Sequence, residues 1–453
     1  MREILPQNLI LLSQKTPKPL YLVGGAVRNY LAGLPPSEDY DLCGAMTAEE
    51  VSLAAQAVGL KTVAVYPRTH TARIADGKRV YEFTSFRTES YEEGGAHTPL
   101  SVAFTQSLAE DATRRDFACN AVYYDVALGR FEDPLGGIAD IKKGIIRAAN
   151  AQRVFRSDGL RLMRLARFAG ELHFSPEAET LAAARRFAAN IDDISTERVV
   201  EELRKILLCD TKYPESGADA PVRALKLLHE IRVLERIFPF VKAADGLAQR
   251  ADFHDHDVLN HTLYAVQHIA PDITLRLAAL LHDAGKPVAY EKSGNMHYHE
   301  VYSEELAQTL LSRYNFGNKT KATVSRLCRA HMFDTSGTAR QITRRKFILR
   351  NQDIFEELCA LMQADFSACK NDLSLAPTVK RLREERENMV RLGVPFSPAQ
   401  LKLSATELTR LGFAGKEIGD ALTFLWEECV LHPESNSPEK LLKLARRRLE
   451  RIK

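Results

Sequence analysis

No stretch of the 453 residues approaches the roughly 20 consecutive apolar residues that a membrane-spanning helix needs. Cysteine is sparse and unpaired. The seven, Cys43, Cys119, Cys209, Cys328, Cys359, Cys369 and Cys429, never form a C-x-x-C pair, which excludes a zinc knuckle and argues against a disulfide frame. Reduced thiols in the cytoplasm are the expectation. An excess of one charge is also missing. The formal net charge is +3, so any nucleic-acid footprint must be a local basic patch. The opening "MREILPQNLI" lacks a long apolar core followed by a small-residue cleavage site, so no signal peptide is expected. There is no internal repeat and no low-complexity segment.

What is present is ordinary for a soluble protein: 45% hydrophobic and 27% charged residues. The length exceeds one core, so two to four domains are expected. Up to about residue 148, β-rich runs ("PLYLVGG", "KTVAVY", "RVYEFTSF", "CNAVYYD") alternate with helix signals ("AVRNYLAG", "TAEEVSLAAQAVG"). The turn-rich "DPLGGIADIKKG" closes that part. From about 150 onward helical periods take over and no convincing strand remains. The fold class is α+β: a small mixed-sheet head over 1–148, then a long all-α body. The body divides into a neck (149–234), a histidine-rich domain (235–375) and a helical tail (376–453).

The segment "LVGGAVRNYLAGLPPSEDYDLC" carries the first chemical signal. Asp39 and Asp41 are two residues apart, so on a strand they point to one face. Carboxylates so placed repel each other unless a cation sits between them. Mg²⁺, with its preference for one or two carboxylates plus substrate phosphates, suits the pair. Gly24 and Gly25 would let backbone N–H groups approach a triphosphate, with Arg28 as a cationic clamp. Glu82, on a later strand, makes three carboxylates, as in a two-metal phosphoryl-transfer site. In "EDATRRDFACNAV", Arg114, Arg115 and Asp116 precede an apolar strand, a costly cluster unless it meets phosphate or ribose.

These motifs, in order G-G-x-V-R, D-x-D, E-x-T-x-F-R, R-R-D-F and D-x-x-R-x-x-R, resemble the class II tRNA nucleotidyltransferases, a family that includes the bacterial poly(A) polymerases. The likeness covers about 18–205. It implies that Asp39 and Asp41 bind the metals and that Glu82 completes the acidic site. It implies further that Gly25 and Arg28 contact the triphosphate, and that Arg115 and Asp116 contact the nucleotide, Asp116 at the ribose. Two positions depart from the family pattern. Asn29 stands where an aspartate is usual, with the expected loss of a supporting ion pair. Ser157 stands where a glutamate is usual, which removes a carboxylate beside the reading pair. The loop "RTESYEEGGAHTPLSVAF", with Gly94 and Gly95, resembles the loop used in the switch from C to A addition.

In "FRSDGLRLMRLARFAG", read as one helix, Asp158, Arg161, Arg164 and Arg167 recur every three residues, each step turning back by about 60°. Asp158 and Arg161 then share an edge, while Arg167 falls on the opposite side. An acceptor beside a donor matches the amino donor and ring-nitrogen acceptor of cytosine and adenine. It mismatches uracil and guanine, which reverse that pattern. One Asp–Arg pair thus accepts CTP and ATP, each good bidentate match contributing roughly 1–3 kcal/mol. Arg164 and Arg167 are expected at phosphate, a neighbouring helix or RNA.

Thirteen histidines are present, and eight crowd the stretch from His254 to His331. The segments "HDHDVLNHTLYAV", "RLAALLHDAGKP" and "LMQADFSA" resemble the HD phosphohydrolase superfamily. The likeness implies the ligand set His261, His282, Asp283 and Asp365 on buried helices, with His299 and His331 available for a second metal. Mixed imidazole and carboxylate ligands suit a transition metal such as Ni²⁺ or Mn²⁺. Hydrolysis of a phosphoester, such as a 2′,3′-cyclic phosphate, is the implied activity.

The last helix, "KLLKLARRRLERIK", holds seven basic residues against one acid, fit for phosphate contacts with tRNA. The expectation is template-independent addition of CMP and AMP (CCA) to tRNA 3′ ends, with CTP, ATP and tRNA as partners and Mg²⁺ in the head. The 3′-hydroxyl attacks the α-phosphate in line and pyrophosphate leaves. The rivals are a poly(A) polymerase, a partial enzyme adding only CC or only A, and an RNA-binding protein with an inert head.

Overall fold

Period-two burial builds the head sheet. Along Tyr40–Gly44, Tyr40 and Leu42 are buried while Asp41 faces out; along Val80–Ser85, Tyr81, Phe83 and Ser85 are buried while Val80 and Glu82 face out. The computed structural model describes residues 1–37, 39–90 and 101–452. Its head sheet has seven strands: β1 (Tyr21–Val23), β2 (Tyr40–Gly44), β3 (Lys61–Tyr66), β4 (Thr71–Ala75), β5 (Val80–Ser85), β8 (Tyr123–Asp125) and β9 (Arg130–Glu132); β6 (Arg87–Ser90) and β7 (Ser101–Phe104) form a separate antiparallel pair. The sheet order is β3-β4-β5-β2-β1-β8-β9. Only β2 and β5 run parallel, and the other pairs are antiparallel, so the sheet is mixed as expected. Val23, Cys43, Phe86, Ala112, Ala121 and Tyr123 form one apolar cluster against the sheet.

The chain divides into two compact units. The first comprises Met1–Gly246, Pro271–Arg276 and Thr309–Gly317; the second comprises Leu247–Ala270, Leu277–Gln308 and Asn318–Lys453. Beyond the head the chain is helical. The expectation of no strand after 150 needs one correction: Ser175–Pro176 pairs in parallel with Ile145–Ile146. Two residues cannot show a period in the sequence. In the second unit, the helices Ala405–Leu411, Lys416–Leu431 and Pro438–Ile452 enclose a separate cluster around Leu408, Phe413, Leu425, Cys429 and Leu441. The helix Ala405–Leu411 begins in a capping box, Ser404 with Glu407, which satisfies two backbone donors reciprocally. No described helix is long and apolar enough to cross a membrane.

Candidate active site and candidate metal centre

Parallel pairing of β2 and β5 sets Asp41 directly opposite Glu82. Both occupy outward positions, so the two carboxylates share the solvent face of neighbouring strands. Asp39 differs from expectation. It precedes the strand, which starts at Tyr40, and its backbone N–H donates to Ser37 Oγ at 3.2 Å. The Asp41 carboxyl is held above its ordinary pKa, first by the protein packed around it and then by Glu82 and Asp39, against an opposing pull from Arg115. Glu82 accepts from Arg73 Nε at 3.2 Å across β4–β5. Asp41 and Glu82 lie opposite each other and Asp39 acts on Asp41 through space, so these three are the residues that could hold a divalent cation in the head.

Gly24 bounds the same site. Its φ of +78° is one that glycine adopts freely, and an added Cβ would lie 3.1 Å from Asp41 Oδ2. It caps the helix Gly25–Ala32, whose first N–H groups therefore begin beside the acids. Arg28 on that helix is buried. Its Nη1 donates to Asn120 Oδ1 at 2.8 Å and its Nη2 to Asn29 Oδ1 at 2.9 Å. Asn29 meanwhile donates through Nδ2 to Pro35 O and to Tyr213 Oη. A carboxylate could not donate either bond. Asn29 thus keeps a neutral hold on Arg28 and adds two bonds, more than the simple loss of an ion pair.

Arg115 is oriented by residues that the sequence reading passed over. Asp111, fully buried, accepts from Arg114 Nε at 2.8 Å, Arg115 Nη2 at 3.1 Å and Tyr123 Oη at 2.8 Å. The spacing of Asp111 to Arg114 and Arg115, i to i+3 and i+4, was the available signal. Burial pushes the Asp111 carboxyl up, but the two guanidinium groups outweigh it and the net shift is downward. Asp116 is occupied. Its Oδ2 accepts from Arg164 Nε at 2.9 Å and Nη2 at 2.5 Å, and its Oδ1 from Asn120 Nδ2 at 3.1 Å.

The single helix expected around Asp158 is two. Ala151–Ser157 ends at Asp158, which is extended (φ −152°, ψ 107°), and Leu160–Leu172 starts afresh. Asp158 Oδ1 accepts from Leu160 N at 3.0 Å, and Oδ2 from Arg198 Nη2 at 3.2 Å. The residues "SDG" thus read better as a helix start. Asp158 and Arg161 do not share a helical edge, because only Arg161 lies on the helix. The Arg161 guanidinium donates to Ser157 Oγ at 3.3 Å and to Arg114 O at 3.1 Å, so the departure at 157 leaves that arginine with a hydroxyl acceptor. Gly159 packs against the chain at Asn190: a Cβ there would lie 2.1 Å from the Asn190 carbonyl oxygen. Arg167 is buried and turned to a neighbouring helix, donating to Glu202 at 2.5 Å and to Glu171 at 2.9 and 3.0 Å. Of the segment that carries Gly94 and Gly95, residues 91–100 lie outside the described residues, and its two ends are the antiparallel strands Arg87–Ser90 and Ser101–Phe104.

In the second unit, His261, His282, Asp283 and Asp365 converge, with candidate ligand atoms within 4.8 Å of one another; Asp283, His299 and His331 form an adjoining triad. His282 and Asp283 sit in the turn after the helix Ile273–Leu281, not on it. Asp283 joins the two groups. Its Oδ2 is 3.3 Å from both His261 Nε2 and His282 Nε2, and its Oδ1 is 3.1 Å from His299 Nε2. Three rings are preset. His282, His299 and His331 each place Nδ1 at 2.7–2.9 Å from a backbone carbonyl, of Ala279, Met296 and Cys328. A carbonyl only accepts, so Nδ1 carries the proton and Nε2 is left to ligate. Burial first, then His282 and His299, push His331 down to about 3, so it is neutral. Burial opposes charge on His282, but Asp283 and Asp365 outweigh it and hold it up to about 10. The buried Asp283 and the half-buried Asp365 thus favour positive charge at this point. Lys286, three residues after Asp283, reaches Asp283 Oδ2 at 2.6 Å and Gln249 Oε1 at 2.6 Å.

A carboxylate pair beside a glycine-capped helix, with a histidine–aspartate cluster further along one chain, defines a nucleotidyltransferase head fused to an HD domain. Residues 20–147 match the poly A polymerase head domain, 173–245 the probable RNA and SrmB-binding site of polymerase A, and 258–365 the HD domain. The multifunctional CCA protein of Neisseria gonorrhoeae is 32% identical over 69% of this chain and 73% of its own length. The A-adding tRNA nucleotidyltransferase of Deinococcus radiodurans is 28% identical over 90% and 91%. The crystal structure of the Bacillus stearothermophilus CCA-adding enzyme in complex with CTP superposes with a TM-score of 0.67 at 25% identity, over 98% of both chains. The chain belongs to the tRNA nucleotidyltransferase family of the multifunctional CCA proteins, and it is a nucleotidyltransferase with an HD domain.

Proposed function

We propose that this protein adds CMP and AMP to tRNA 3′ ends, taking CTP and ATP without a nucleic-acid template. The observation that supports it best is Asp41 opposite Glu82 on parallel strands, with Gly24 packed so near that an added Cβ would lie 3.1 Å from Asp41 Oδ2. Mg²⁺ bound by Asp39, Asp41 and Glu82 supplies charge that offsets the phosphates. The N–H groups at Gly24 and Gly25 and the cations Arg28 and Arg115 orient the triphosphate, so that the tRNA 3′-hydroxyl meets the α-phosphate in line. Asp116 holds Arg164 and, through Asn120, the seat of Arg28. Asp158 and Arg161 read the base edge as acceptor and donor. Arg167 serves as a strut between helices, and we do not assign it to nucleotide.

The HD cluster is read as a separate phosphoesterase centre holding a transition metal such as Mn²⁺ or Ni²⁺ on His261, His282, Asp283 and Asp365. The pre-oriented Nε2 of His282 supports this. We read the chain as head 1–148, neck 149–234, HD domain 235–375 and tail 376–453. The basic residues of the helix Pro438–Ile452 meet the tRNA backbone. Seven free cysteines fit the cytoplasm.

Incubation with tRNAs ending before C74, C75 or A76, each with one nucleoside triphosphate at a time, tests the reading. CMP on the first two and AMP on the third is the expected result; UMP or GMP incorporation would sink it. A second reading, addition of A alone, draws on the likeness to the Deinococcus radiodurans A-adding enzyme. It predicts extension of the third tRNA only.

A further inference from the structure

We propose that His254, His261 and Cys369 form a second thiolate–imidazole metal site in the second unit, one that takes a thiophilic divalent ion and shares His261 with the HD site as a bridging imidazolate. The candidate ligand atoms of these three lie within 4.8 Å of one another. They come from three places in the chain: the loop before the helix Val258–Gln267, that helix, and the last turn of the helix Phe355–Lys370. The loop is tied down where it matters, because the Asp255 backbone N–H donates to the Cys369 carbonyl at 3.0 Å. The His254 and His261 rings meet edge to face, with centroids 4.9 Å apart.

The histidine cluster itself singles out His261. His282, His299 and His331 each place Nδ1 against a backbone carbonyl. His261 is fully buried, its Nε2 faces Asp365 at 2.9 Å, and its Nδ1 has no hydrogen-bond partner among the described residues. His254 Nδ1 is buried and without a hydrogen-bond partner too. An unmet buried nitrogen is costly, and a metal ion held among the three side chains would supply a partner.

Ligand chemistry then selects the ion. Asp365 and Cys369 are four residues apart on one helix, so one face presents an oxygen ligand and, a turn later, a sulfur ligand. Oxygen with imidazole suits the HD site. Sulfur with two imidazoles suits Zn²⁺ or Co²⁺ and leaves Mg²⁺ and Ca²⁺ without affinity. Access is also particular to this residue, since Cys369 is partly exposed while the other six cysteines are buried.

Co²⁺ is the probe, added to chelator-stripped full-length protein. Thiolate-to-Co²⁺ charge-transfer absorption in the near ultraviolet is expected for the wild type. Cys369→Ser should remove the absorption and one bound equivalent by equilibrium dialysis, and His254→Ala should weaken it. His282→Ala should retain the absorption, which separates this site from the HD reading. Wild-type protein without the absorption at saturating Co²⁺, or absorption that survives Cys369→Ser, overturns the proposal. If that variant fails to fold, wild-type alkylation decides: Zn²⁺ should protect Cys369 from iodoacetamide, and an unchanged modification rate overturns the site.

Discussion

The two candidate centres of this chain are organised in opposite ways. The acids of the head lie on a sheet face that solvent reaches at Asp39, Asp41 and Glu82, although enough protein surrounds the Asp41 carboxyl to raise its pKa. In the HD cluster His261, His282, Asp283 and His331 are buried, and three rings are locked by backbone carbonyls. The head site is completed by what binds to it, as suits a centre that must admit a triphosphate and an RNA end. The HD site is completed before anything binds. A buried charge cluster commits folding free energy to its geometry, whereas an exposed one does not.

Stability should break the symmetry most sharply. Asp283→Ala leaves Lys286 buried without its carboxylate, and removal of one partner of a buried pair costs about 3–5 kcal/mol. Asp41→Ala should stay within about 0.5 kcal/mol of wild type, as exposed substitutions do. Urea unfolding followed by fluorescence measures both, and equal losses would end the contrast.

Activity should invert that ranking. Asp41→Asn should lower nucleotide incorporation by more than about a hundredfold, beyond the cost of losing an outer partner of a metal ligand. His282→Ala should leave incorporation near wild type while removing phosphoester hydrolysis. A His282→Ala protein that is folded yet unable to add CMP or AMP would show that the two centres are coupled.

A smaller effect concerns base choice. Asp158→Asn should cost roughly 1–3 kcal/mol of discrimination for CTP and ATP over UTP, read from the kcat/KM ratios. Removing its partner through Arg198→Ala should move the same ratio in the same direction by less. Discrimination that stays intact in both variants would take base reading away from Asp158.

The smallest effect is a pH limb. Asp111 has its folded pKa below the unfolded value, so its contribution is complete above about pH 4 and disappears as pH falls through the lowered folded value. In Asp111→Asn the acid limb of the stability curve should flatten, and a limb as steep as in the wild type would count against the Asp111–Arg114–Arg115 network.

Much of this was legible in the chain because the chemistry is local. The β-rich runs around Asp41 and Glu82 put two carboxylates on strands, while the parallel register that sets them opposite each other came only with the fold. The histidine and aspartate ligands were legible by type. What sequence periodicity missed was tertiary. Arg167 has the same helical spacing as Arg164, yet one meets Glu202 from a distant helix and the other meets Asp116. Only the packing of Leu160–Leu172 on Thr196–Leu207 distinguishes them. The break at Asp158 was hidden because Arg161, Arg164 and Arg167 continue a period that Asp158 only seems to begin. The unmet nitrogen of His261 has no signature in sequence at all.

That break changes how selectivity could evolve. Residues that read a base from one helix would keep their mutual geometry through almost any surface change. On the reading proposed above, the acceptor Asp158 and the donor Arg161 are joined across a turn whose glycine is pressed against Asn190. Base preference would then be heritable through positions that touch no nucleotide. Gly159 and its neighbours at 188–193 form a remote target on which drift or laboratory selection would act to shift the choice between C and A.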